Sequence, residues 1–96
     1  MGRRIVRVPP GFRHPVNKNG ETIVGAHHEA LHSISDDQKT AFQIYESVTE
    51  GLPVSPIFES LGELSAWLTA QGASQTYIQG LIADGHAPSF VAKVPR

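Results

Sequence analysis

The residues in this sequence whose types and spacing could do chemistry are His28-Glu29-Ala30-Leu31-His32. Two histidines one helical turn apart face the same way and can hold Zn²⁺, while a glutamate beside the first can activate a metal-bound water. His14 and His27 could add nitrogen, and Glu46, Glu50, Glu59 or Glu63 could supply a third ligand. The flanks argue against this use. Val24-Gly25 precedes the motif and Ser33-Ile34-Ser35-Asp36 follows, and only Ala26, Ala30, Leu31 and Ile34 offer apolar surface to clamp a helix in a core. A miniature zinc peptidase using His28, His32 and Glu29 is therefore the alternative reading. The main expectation assigns no catalytic residue, no metal and no cofactor. The sequence has no Cys, so it has neither a thiol nucleophile nor a Cys-based zinc site. It has no G-x-S-x-G elbow, and its glycines are scattered at turns and helix ends rather than gathered in a phosphate-cradling loop.

The elements that must position these side chains follow from local patterning. Arg3–Val8 is short and β-branched, is stopped by Pro9-Pro10-Gly11, and reads as a strand near a sheet edge. Phe12–Val16 and Glu21–Val24 flank Asn19-Gly20, a dipeptide that suits a hairpin with a primed turn. Gly25–Ser35 reads as a loop or one short helix. Residues 36–49 read two ways. Ser35-Asp36-Asp37-Gln38 has the form of a capping box ahead of helically spaced Ala41, Phe42, Tyr45 and Val48, yet Phe42–Thr49 is rich in β-branched and aromatic residues. Ser60-x-x-Glu63 opens a clear helix with Leu61, Leu64, Trp67 and Leu68 on one stripe, and Gly72 stops it. A second helix runs from Ser74 to Gly85 and buries Ile78, Leu81 and Ile82, with Gly80 a weak point; Ser89–Val94 returns as a strand.

Ninety-six residues make one domain, and 40% hydrophobic content is ordinary for a globular chain. The expected fold class is α+β: a small antiparallel sheet of hairpins with two helices packed on one face. No apolar run exceeds three residues, so neither a membrane span nor a signal-peptide core is expected. The net charge of −1 hides an asymmetry. Residues 1–20 hold Arg3, Arg4, Arg7, Arg13 and Lys18 with no acid, whereas residues 21–96 hold three cations against nine acids. A basic N-terminal strand or arm of this kind can steer toward phosphates, which makes nucleic-acid binding a further alternative, or can lie across the domain's own acidic surface.

The stretch Tyr45-Glu46-Ser47-Val48-Thr49-Glu50-Gly51-Leu52-Pro53-Val54-Ser55-Pro56-Ile57-Phe58, followed by Glu63-Leu64 and Trp67-Leu68, resembles a group of small uncharacterised proteins of tailed-phage and prophage genomes. Val8-Pro9-Pro10-Gly11-Phe12, His14-Pro15-Val16, Asn19-Gly20 and Gly85-His86-Ala87-Pro88-Ser89 are similar to members of the same group, so the likeness covers about half of the chain. Members commonly have Trp where this chain has Tyr45 and an aromatic residue where it has His86. The resemblance implies a strand over 42–48 hairpinned to 54–58, and it assigns no catalytic residue. It also implies a phage accessory protein in the bacterial cytoplasm that binds a host or phage macromolecule; an inhibitor of a defence system such as CRISPR is one concrete version. On that reading Tyr45, Glu46, Glu50, Ser55 and Pro56 form a rigid loop that meets the partner. Exposed sheet edges also permit a homodimer.

Overall fold

A computed structural model describes residues 2–46 and 51–88. Four strands, β1 (Gly2–Val8), β2 (Ala41–Glu46), β3 (Leu52–Phe58) and β4 (His86–Pro88), form one antiparallel sheet in the order β3-β2-β1-β4. Helices α1 (Ala26–His32), α2 (Leu61–Ala70) and α3 (Gln75–Asp84) complete the α+β domain, with a short 3₁₀ turn at Asp36–Gln38. The expected strand at 89–94 lies outside the described residues; the strand that is described there begins earlier, at His86.

Helices α2 and α3 form where the sequence places them, because each begins with a capped turn. Ser60 Oγ accepts from the Glu63 amide, and the Glu63 carboxylate accepts from the Glu59 amide in return. Ser74 Oγ accepts from the Tyr77 amide. These bonds satisfy amides that a helix start otherwise leaves open. Both helices cover one sheet face, where Ile44, Phe58, Leu64, Leu68, Ile78 and Leu81 form the main core, joined at its margin by Ile5, Val54 and Trp67. Burying each of the large aliphatic side chains contributes about 1.5–3 kcal/mol.

Within the ambiguous segment Ala41–Glu46 is a strand, and residues 47–49 lie outside the described residues. Ile44 pairs with Ile5 and Tyr45 with Arg4, a register that places Ile44 toward the helices and Tyr45 on the opposite face. Ser35 makes no side-chain cap, and only Asp36–Gln38 turns helically. Strand β1 pairs with β2 along Arg3–Val8 on one side and, through Gly2–Arg4 alone, with the short β4 on the other. The basic segment is thus a strand that continues into a loop.

The 9–40 connection between β1 and β2 covers the second face of the sheet. Val8, Leu31 and Ala41 are buried there, with Val6, Phe12, Ile34 and Ile57 packed around them. Within this connection Val16 bridges Thr22 across the turn at 17–20. The Gly20 amide bonds the Asn17 carbonyl, and Asn17 Oδ1 accepts from the amides of Asn19 and Glu21. Gly20 has φ 81° while Asn19 keeps a negative φ, so the expected primed turn is replaced by an Asx-braced turn with a left-handed glycine at its end.

Candidate functional site

The HExxH motif does lie on a helix, α1, but that helix has seven residues. His28, His32 and Glu29 sit on its outer side, while His27 and Leu31 are buried against the sheet. His28 and His32 border a cavity of about 210 Å³ together with His27, Leu31, Arg4, Val6 and Lys39; Glu29 does not line it. The third-ligand candidates are elsewhere. Glu46 pairs with Arg3 at the far end of β2, Glu63 is engaged in capping α2, Glu59 is exposed at the β3–α2 junction, and Glu50 lies outside the described residues. No group of three or more His, Cys, Asp or Glu among the described residues is placed to hold a metal ion. Two cations, Arg4 and Lys39, share the cavity with the motif's histidines and repel a second positive charge. The residues present do not fit zinc.

A different histidine arrangement sits under α1. His14 Nδ1 is 3.0 Å from the Tyr45 hydroxyl, and its Nε2 meets the Ile23 carbonyl. A carbonyl only accepts, so Nε2 carries hydrogen and donates; in the neutral ring Nδ1 then accepts from the Tyr45 O–H. This relay ties the 12–24 loop to β2. The His27 ring lies 4.0 Å from the rings of both Tyr45 and His28, and 5.5 Å from that of His14. Burial, and then the positive charges of His28, His14 and Arg4, lower the His27 pKa to about 4, while burial raises that of Tyr45 to about 12. Both are neutral at neutral pH.

Gly51 makes room for this stack. Its φ is 111°, and a Cβ there would stand 2.8 Å from His27 Cε1. Its carbonyl accepts from the Gly25 amide just before α1. The glycine of the Thr49-Glu50-Gly51 motif therefore serves both the left-handed backbone and the close approach of an imidazole.

Of the expected partner-contacting residues Glu50 lies outside the described residues, and the other four do not share one surface. Tyr45 is fully buried, so it is an anchor of the fold rather than a contact. Ser55 is inward-acting: three residues of β3, Val54–Pro56, face the single Ile44 of β2, and Ser55 Oγ accepts from the Ile44 amide and donates to the Pro56 carbonyl. Gln43 Nε2 donates to the Ser55 carbonyl across the same bulge. Ser55 thus closes a gap in the ladder that the bulge opens. Pro56 is exposed on this edge strand and Glu46 is half-buried.

The basic residues are also dispersed. Arg3 and Arg4 project to opposite faces, as neighbours in a strand must. Arg7 donates to the carbonyls of Lys39 and Asp36. Arg13 and Lys18 are exposed in the 9–40 connection. Of the five, Arg4 alone lines the cavity.

The most exposed large apolar side chains lie on the ribbon that the His14 relay holds in place. Val16 is 53% exposed, Ile23 41% and Val24 42%. No single pattern marks this ribbon or the His14–His27–Tyr45 stack as a site; His14 and Val16 do stand in one segment of the phage-protein resemblance. No family model matches the chain, and no curated protein or solved structure is significantly similar to it. Among the described residues no helix is long and apolar enough to cross a membrane.

Proposed function

We propose that this is a small non-enzymatic accessory protein of tailed phages or prophages that acts by binding a host or phage protein. The phage setting is carried over from the sequence resemblance, and an inhibitor of a bacterial defence system such as CRISPR is one concrete version of it. The mode of action rests on one observation: Val16, Ile23 and Val24 are each exposed on or beside the short ribbon in which Val16 bridges Thr22. Exposed apolar side chains scattered singly need no explanation, but several on one braced segment are what a protein partner buries. The ribbon is held by the Tyr45–His14–Ile23 relay and by the Asn17 turn, so little of the binding energy would be lost in ordering it.

The test is affinity capture from a bacterial host lysate with the wild-type chain and a Val16→Ser/Ile23→Ser/Val24→Ser variant of equal melting temperature. The expected result is a discrete host complex retained by the wild type and lost with the variant. Capture that is the same for both chains, or absent for both, refutes this reading.

A further inference from the structure

We propose that the cavity between α1 and the sheet binds a small organic phosphate monoester. Residues that carry nitrogen donors line it from three separate parts of the chain: Arg4 from β1, His27, His28 and His32 from α1, and Lys39 from the turn ahead of β2. Guanidinium matches phosphate oxygens with a planar fork, ammonium adds a point charge, and imidazole N–H groups complete the donor set. His27 is 2% exposed, so it belongs to the cavity wall, and the side chains left to meet a ligand are those of Arg4, His28, His32 and Lys39. Val6 and Leu31 provide an apolar wall beside these donors. At about 30 Å³ per water, 210 Å³ is the room of roughly seven waters, enough for a phosphate carrying one small ring.

One acid meets these donors in an ion pair: Asp36 Oδ1 is 3.3 Å from Lys39 Nζ. Its side chain is 91% exposed, so the pair is a weak competitor for the ligand. A polynucleotide fits less well. Arg3 faces the helices and Arg7 is engaged with backbone carbonyls, so neither of these described cations extends the cavity into a track for a run of phosphates. This site is separate from the apolar ribbon and does not depend on it.

The test is a titration of the isotope-labelled full chain with phenyl phosphate and, separately, with inorganic phosphate, followed by NMR. Phenyl phosphate should give saturable shifts at Arg4, Val6, His28, Leu31, His32 and Lys39, with higher affinity than inorganic phosphate. Arg4→Gln and Lys39→Gln should each weaken binding about tenfold without changing the melting temperature, and Asp36→Asn should strengthen it. Shifts that do not saturate, that map elsewhere, or that are equal for the two ligands overturn the proposal. So does unchanged affinity in Lys39→Gln, which tests the site even if Arg4→Gln fails to fold. Binding of a single-stranded oligonucleotide that phenyl phosphate does not displace also overturns it.

Discussion

Replacing His27 by Phe should remove most of the acid sensitivity of this fold. His27 is buried against Tyr45, and its pKa falls from 6.5 to about 4, with burial the largest cause. The folded chain therefore binds fewer protons than the unfolded chain between those values. Stability is complete above pH 6.5 and declines as pH falls toward 4, because the unfolded state gains a proton that the folded state resists. A full shift would contribute somewhat over 2 kcal/mol of that loss by pH 4.5; since the ring also borders the open cavity, about 2 kcal/mol is expected. For a domain of this size that is a fall in melting temperature of roughly 8–16 °C.

Phe keeps the ring stacked on Tyr45 and cannot take a proton. The measurement is chemical denaturation of wild type and His27→Phe at several pH values from about 7 to about 4.5, compared as the change with pH, so that any constant packing difference cancels. The wild type should lose about 2 kcal/mol more than the variant over this window. Curves that stay parallel within about 0.5 kcal/mol refute the assignment of a neutral, buried His27.

Other substitutions probe the supports of the same face. Ser55→Ala should cost about 1–3 kcal/mol, measured by urea denaturation, because it leaves the Ile44 amide unpaired in the bulge. Gly51→Ala should cost more than about 1 kcal/mol in the same assay, since its positive φ and its closeness to His27 both resist a methyl group. Gly80→Ala should instead raise stability by about 0.5–1 kcal/mol, as Gly80 sits inside α3 and nothing lies within 4 Å of the place its methyl group would take. A chelator should leave the melting temperatures of wild type, His28→Ala and His32→Ala unmoved, and elemental analysis after dialysis should find no stoichiometric zinc.

The two long helices are legible in the sequence because their information is local: a capping serine, an apolar stripe and a closing glycine lie within a dozen residues. Residues 36–48 are not, because helical and alternating spacing coexist there. What decides is the pairing of Ile44 with Ile5 and of Phe42 with Phe58, both between residues distant in sequence or separated by a turn. Ser55 illustrates the same limit within the candidate site. Its hydroxyl looks available for a partner until the register shift of β3 is known, and only then does the Ile44 amide become its partner. His27 stands just ahead of the HExxH match and outside it, yet it is the histidine that the fold encloses. Its burial depends on Gly51 and Tyr45, which come from distant parts of the chain.

The position of β1 explains why function should be sought in the 9–40 connection. Adjacent antiparallel strands need only a two-residue turn, but β1 and β2 are joined by a long excursion. Connections of that length inside a small domain are uncommon unless they carry function. This one contributes the apolar ribbon and, through α1 and Lys39, most of the cavity's donors, while its anchors, half-buried His14 and buried His27 and Leu31, close the second face of the sheet. The two roles separate by exposure. Substitution of an anchor should lower stability and binding together, whereas substitution of Val16, Ile23 or Val24 should weaken binding at constant melting temperature. A chain in which those exposed residues changed stability as much as the anchors do would show the excursion to be a cover for the sheet and nothing more.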